Sequence, residues 1–318
     1  MRDGGEFTRR NLLRASAVTA AGVGGIGTAS ALETVDGDVD HRESAERVPC
    51  LSVDDRTETV AGGGPELATG IRPGSQMFVA FPDGTTAGCT ANFIWEDRWG
   101  DRYIGAAGHC FVPDDKNASE NATRDGEDDG DVYDVSQLSV AVCEDCTFGG
   151  ATGLIVRGTT IELGDVAYAR RNLPDGSAVG HDFGLVRIPA EAESAVDPSM
   201  PQFGGPTGVS DGAVAAGTPV NQYGAGVGNG EVFAIQGSNG VSEGDLGSPE
   251  SWFAAVRASP GDSGSPLQST TAGTGPEGEL AAGILTHITA TGTGGTTMGR
   301  CREMVSTDVG LDISVVLP

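Results

Sequence analysis

Short apolar runs broken by polar, glycine-rich turns recur along this chain from about Ile71 onward. They fall at Gln76–Phe81, Gly88–Glu96, Arg102–Ala107, Gln137–Val142, Gly153–Arg157, Asp165–Ala169, Phe183–Ile188, Thr218–Tyr223, Glu231–Ile235, Trp252–Val256 and Leu280–His287. Each run is too short for a typical helix and is bounded by turn-forming residues. The pattern therefore predicts strands at intervals of roughly ten residues, in a sandwich or barrels and not in βαβ units. Pro82-Asp83-Gly84 is the turn between the first two runs. The Pro- and Ser-rich stretch Pro189–Val209 divides the strands into two groups. No stretch in the body combines helical periodicity with good caps over ten or more residues, so no long helix is predicted there. The tail Val309–Pro318 fits either a helix or a strand.

Before Ile71 the pattern changes. Thr8-Arg9-Arg10-Asn11-Leu12-Leu13-Arg14, a mildly apolar run from Ala15 to Gly27 and the small residues Ala29-Ser30-Ala31 have the order of a twin-arginine export signal. Residues 32–70 are polar, acidic and glycine-rich, as in a linker or short pro-segment. The expected organisation is a signal over 1–31, a pro-segment over 32–70, one β domain over 71–190 and a second over 191–318. No later segment reaches the roughly 20 apolar residues of a membrane span, so a secreted protein without a membrane anchor is expected.

Composition sharpens this picture. Aromatics make up only 5% and glycines number 51, which suits short strands and tight turns. The net charge is -26, and Lys116 is the only lysine. Such a surface repels itself until salt shortens the Debye length, and it resembles secreted proteins of extreme halophiles. It also argues against nucleic acid, whose phosphates need clustered Arg and Lys. The acidic stretch 113–135 reads as an exposed solvated loop, because its carboxylates lack the spacing of a calcium loop. It holds the glycosylation sequons at Asn117 and Asn121. Six cysteines (Cys50, Cys89, Cys110, Cys143, Cys146 and Cys301) leave fifteen pairings open. Cys143-Glu144-Asp145-Cys146 is not completed by a second metal-binding pair, so a local disulfide or a cross-link to Cys50 or Cys301 is expected there, and no metal.

Candidate chemistry lies in three blocks. Pro260-Gly261-Asp262-Ser263-Gly264-Ser265-Pro266 puts a serine in a tight turn. Ala106-Ala107-Gly108-His109-Cys110 and His181-Asp182-Phe183-Gly184-Leu185-Val186 lie upstream. A serine hydroxyl is a weak nucleophile, so it needs a base, and the base needs a carboxylate to fix its tautomer. Among other histidines, His41 lies in the pro-segment. His181 adjoins Asp182 on what reads as a strand, where neighbours face opposite ways. Asp165 rivals Asp182, but the apolar run after Asp182 marks it as the buried carboxylate. The nucleophile elbow of α/β-hydrolases is a poor fit, because histidine comes first here and position 265 is serine.

These blocks resemble the chymotrypsin/trypsin family of serine peptidases, more closely its bacterial streptogrisin-type branch. The resemblance implies an all-β fold of two antiparallel β-barrels with the active site in the cleft between them. It implies His109 as base, Asp182 as orienting carboxylate, Ser263 as nucleophile, and the N–H groups of Gly261 and Ser263 as the oxyanion hole. It also pairs Cys89 with Cys110, a bridge worth about 3 kcal/mol by loop entropy. The substrates would be peptides or proteins, the chain a monomer, and this chemistry needs no cofactor. A catalytically silent binding protein on the same fold is the alternative. Two departures matter: no Ile-Val-Gly-Gly activation site is present, and no cysteine closely precedes Ser263. For the specificity pocket, a floor at Arg257 favours acidic side chains and a floor at Ala255 favours apolar ones. Thr286 and His287 are expected on its wall, where His287 offers a partner for a carboxylate.

Overall fold

The structure, a computed structural model, describes residues 45–52, 68, 70–112, 133–144, 147–149, 155–157, 159–171, 179–226, 237–270 and 279–318. In chain order its strands begin with β1 (Glu46–Arg47), β2 (Leu51–Ser52), β3 (Gln76–Ala80), β4 (Thr86–Thr90), β5 (Ile94–Asp97), β6 (Arg102–Ala106) and β7 (Ser139–Cys143). There follow β8 (Thr147–Gly149), β9 (Ile155–Arg157), β10 (Thr160–Glu162), β11 (Val166–Arg170), β12 (Phe183–Arg187) and β13 (Gly208–Val209). The last group is β14 (Pro219–Tyr223), β15 (Gly237–Gly244), β16 (Ser251–Ala254), β17 (Pro266–Thr270), β18 (Glu279–Ile288), β19 (Thr293–Thr296) and β20 (Ile313–Val315). Among the described residues, an α-helix, α1 (Met298–Val309), lies between the last two strands.

The expected all-β architecture is observed. In the second half, β14, β15, β16, β19, β18 and β17 follow one another around a ring that the β18–β19 pairing closes, giving a 6-strand barrel. Val220, Trp252, Ala254, Leu267 and Leu285 fill it. The first half is built on two five-stranded sheets, in the orders β10-β7-β3-β4-β2 and β11-β12-β6-β5-β20, while β8 and β9 pair separately. Both sheets face one core, in which Met77 and Val79 meet Ile94, Ile104 and Val186. The run Gly88–Glu96, expected as one strand, is a corner between these sheets. Ala91 N–H reaches back to the Ser75 carbonyl, while Asn92 N–H binds that of Gly105, so the chain changes partner at residues 91–93.

Two expectations need correction. A capped helix does exist in the body. Thr297 Oγ1 accepts the Arg300 N–H at its start, and Gly310 closes it at φ +67°. Its apolar stripe is only Met298, Cys301, Met304 and Val305, too sparse to stand out as periodic, yet tertiary packing against Trp95, Tyr103 and Ile284 buries it. Ordered structure also does not begin at Ile71, because β1 and β2 already pair with β18 and β4. The twin-arginine segment, His41, Cys146, residues 113–132 of the acidic stretch with its sequons and the run Glu231–Ile235 lie outside the described residues. Among the described residues, no helix is long and apolar enough to cross a membrane.

Candidate active site

Local structure brings the three sequence blocks together. His109 sits in a single 3-10 turn, Gly108–Cys110, at the end of β6. A Cβ on Gly108 would lie 1.8 Å from the Arg170 carbonyl oxygen, so only glycine lets this turn settle against β11. A Cys89–Cys110 disulfide ties the turn to β4, as the resemblance implied. Asp182 immediately precedes β12, which pairs with β6 through Gly184 and Ala106. That pairing sets the carboxylate beside the histidine. Thr296 Oγ1, from the barrel of the second half, donates to the Asp182 carbonyl at 3.0 Å.

Ser263 lies in the turn between β16 and β17. Gly261 takes φ +95°, a conformation that a side chain would strain. The Asp262 carboxylate is fully buried and accepts the N–H groups of Gly226 at 2.8 Å and Ser259 at 2.8 Å. Thr90 reaches across from the first half: its hydroxyl donates to the Gly261 carbonyl at 2.7 Å and its N–H to that of Ser263 at 2.9 Å. The Ser263 turn is thus held from both halves.

The result is a continuous hydrogen-bonded line. His109 Nδ1 lies 2.6 Å from Asp182 Oδ2, and His109 Nε2 lies 2.9 Å from Ser263 Oγ. Asp182 Oδ1 also accepts the backbone N–H of His109 at 3.0 Å, which fixes the imidazole's approach. Burial opposes charge on this ring, but the Asp182 carboxylate outweighs it and raises His109 to about 10. Burial likewise opposes the Asp182 anion, and the His109 imidazolium overcomes it, taking Asp182 down to about 2. An imidazole between a hydroxyl and a buried carboxylate can carry a proton from one reacting atom to another.

A segment absent from the expected site occupies it. Residues 45–52, which form a strap along the cleft, touch every part of this line. Arg47 and Glu46 pair with His287 and Ile288 of β18, and Val48 N–H donates to the Thr286 carbonyl at 3.0 Å. Ser263 Oγ donates to the Val48 carbonyl at 2.6 Å, which His109 Nε2 also approaches at 3.1 Å. The Gly261 N–H donates instead to the next carbonyl, that of Pro49, at 2.8 Å. Past the centre, Leu51 and Ser52 pair with Gly88 and Ala87. Arg47 Nε stands 3.5 Å from Asp182 Oδ2. The one signal in the sequence is the apolar island Val48-Pro49-Cys50-Leu51 within a polar stretch.

The remaining site residues are scattered. Ala255 and Arg257 are exposed, whereas Thr286 and His287 are buried. His287 Nδ1 shares a 2.7 Å hydrogen bond with Thr286 Oγ1, and burial lowers its pKa to about 3, so the ring is neutral. His181 turns the other way, where its Nδ1 accepts from Arg300. Asp165 is exposed at the start of β11 and takes no part. Cys143 is disulfide-bonded while Cys50 and Cys301 are free, which excludes the cross-links to those two residues.

No protein-family model matches the chain, and no curated protein matches it. Solved structures of serine proteases are similar to it. Thermobifida fusca Protease A shares 16% identity at a TM-score of 0.38, over 78% of this chain and 98% of its own. A glutamic acid specific serine protease, described as using a histidine triad in substrate binding, shares 14% at 0.40, over 77% of this chain and 100% of its own. Nocardiopsis Protease shares 16% at 0.36, over 77% of this chain and 99% of its own. Such identities leave the chemistry to the side chains themselves.

Proposed function

We propose that this chain is a secreted serine endopeptidase of the chymotrypsin-like, streptogrisin-type kind, acting through an acyl-enzyme. The observation that carries the reading is the convergence of His109, Asp182 and Ser263, remote in sequence, at 2.6 and 2.9 Å. Ser263 Oγ attacks the substrate carbonyl carbon while His109 Nε2 takes its proton, and the imidazolium returns that proton to the leaving amine. Asp182 holds Nδ1–H and offsets the charge that forms on the ring. Gly261 N–H already faces a carbonyl oxygen, which supports its role as an oxyanion donor beside Ser263 N–H. Losing one such donor costs roughly 3–4 kcal/mol in the transition state. Water then releases the acyl group by the same steps.

The side chain of Val48, whose carbonyl meets the Ser263 hydroxyl, is fully buried in an apolar cluster with Val256, Ala258 and Ile288. Arg257 is exposed and His287 is neutral, so neither favours acidic side chains. The twin-arginine motif supports export, with a signal over 1–31 and a pro-segment over 32–70 ahead of two β domains, 71–190 and 191–318. The decisive test is covalent labelling by an organofluorophosphonate at high salt. One equivalent on the wild-type chain, lost in Ser263→Ala, is the expected result. No labelling of folded protein with the strap removed sinks the reading and favours a silent binding protein.

A further inference from the structure

The strap holds a free thiol against the disulfide that anchors the histidine turn. Cys50 Sγ lies 3.1 Å from Cys89 Sγ and 3.9 Å from Cys110 Sγ. Pairing on both sides, β1 with β18 and β2 with β4, fixes the residue there. Cys301, the other free cysteine among the described residues, is carried by α1 and buried in the apolar cluster that this helix covers.

The strap also occupies the cleft out of step with the chemistry. Peptide-bond attack needs the serine oxygen at a carbonyl carbon and the oxyanion donors on that same carbonyl's oxygen. Here the Ser263 hydroxyl and the Gly261 N–H bind consecutive carbonyls, those of Val48 and Pro49. The Ser263 hydroxyl is engaged by the strap's Val48 carbonyl at 2.6 Å. A segment seated this way blocks the site without being cut.

We propose that Cys50 exchanges into the Cys89–Cys110 bridge, cross-linking the strap into the cleft, so that the pairing of three sulfurs sets whether the site opens. The regulatory consequence rests on the peptidase reading above; the exchange itself does not. The Cys50 thiol gives its proton to solvent, and the thiolate attacks Cys89 Sγ. The Cys50–Cys89 bond forms as the Cys89–Cys110 bond breaks, and Cys110 leaves as a thiolate that takes up a proton. One disulfide and one thiol stand on each side, so no oxidant or reductant is consumed. The freed Cys110 sulfur has an acceptor in the Ser263 carbonyl, 3.9 Å away. An in-line approach would separate the two Cys50 distances by a whole S–S bond, about 2 Å. The observed difference is smaller, so a rotation of the Cys50 side chain precedes attack. Without the cross-link the strap can lift away; with it, the strap stays at high effective concentration over Ser263.

The test uses the full chain at high salt, equilibrated at pH 8 across a glutathione redox series. Free thiols are trapped by alkylation and disulfides are mapped by peptide mass spectrometry. A Cys50–Cys89 peptide with alkylated Cys110 is expected beside the Cys89–Cys110 form. Finding only Cys89–Cys110, with Cys50 alkylated throughout, overturns the exchange whether or not the protein is a peptidase. In parallel, the fraction of wild type labelled by fluorophosphonate should equal the fraction that is not cross-linked, and labelling should reach completion in Cys50→Ala. Equal, complete labelling of both in the presence of the mixed disulfide overturns the regulatory role. With the mixed disulfide found in the wild type, absence of labelling in both proteins and in a chain lacking residues 45–52 leaves the exchange standing and removes the peptidase reading.

Discussion

Val48→Ala in a Cys50→Ala background isolates the strap's noncovalent grip on the cleft. Val48 is fully buried, and truncation removes two methyl groups from an apolar cluster while its backbone contacts to Thr286 and Ser263 can persist. The lost transfer energy, about 0.8 kcal/mol per methyl, plus a cavity contribution comes to roughly 1.5–2.5 kcal/mol. If the strap opens and closes faster than the reagent reacts, labelling follows the open fraction. At about 1.4 kcal/mol per decade, that predicts a roughly ten- to sixtyfold faster second-order rate of fluorophosphonate labelling. The rate is read by intact mass in molar salt, with circular dichroism confirming the fold and saturation at one equivalent confirming a single site. Identical rates for the two folded proteins would show that the strap does not cover the nucleophile in solution.

Other substitutions test separate parts of the reasoning. Asp182→Asn should lower the labelling rate by roughly four orders of magnitude through the wrong imidazole tautomer. It should also move the midpoint of the pH–rate profile downward, since the carboxylate is what raises His109; an unmoved midpoint contradicts that assignment. Stability should show two flanks. His109 is raised on folding from 6.5 to about 10, so its contribution is complete below pH 6.5 and fades as pH climbs toward 10. Asp182 is lowered from 3.8 to about 2, so its contribution is complete above pH 3.8 and fades below it. Urea midpoints should therefore peak between those values and fall on either side, and Asp182→Asn should flatten both flanks. Asp262→Ala leaves the buried Gly226 N–H and the half-buried Ser259 N–H without their acceptor and should cost about 2–4 kcal/mol; a denaturation midpoint within error of wild type refutes that role.

Much of the strand order was legible because strands in this fold expose one face or bury both over short spans. Apolar runs such as Phe183–Arg187 and Arg102–Ala106 therefore mark themselves. The glycine-rich strands β15 and β19 did not, yet they close the barrel, because their pairing depends on backbone hydrogen bonds to neighbours and not on their own side chains. Helix α1 stayed hidden for a similar reason: its stability comes from the surface it covers.

The candidate site divides the same way. Residue types and the family resemblance singled out His109, Asp182 and Ser263 as candidates, because proton transfer to a serine requires a base and a carboxylate. Their separations, the perturbed protonation of His109 and the engagement of Ser263 by Val48 depend on how two halves of the chain and a distant strap meet. Hydrogen bonds and Coulomb forces act over a few ångströms of space, and sequence distance carries no record of them. The candidate residue types were written in the linear chain, whereas the carbonyl lying over Ser263 and the thiol beside the disulfide belong to the folded molecule.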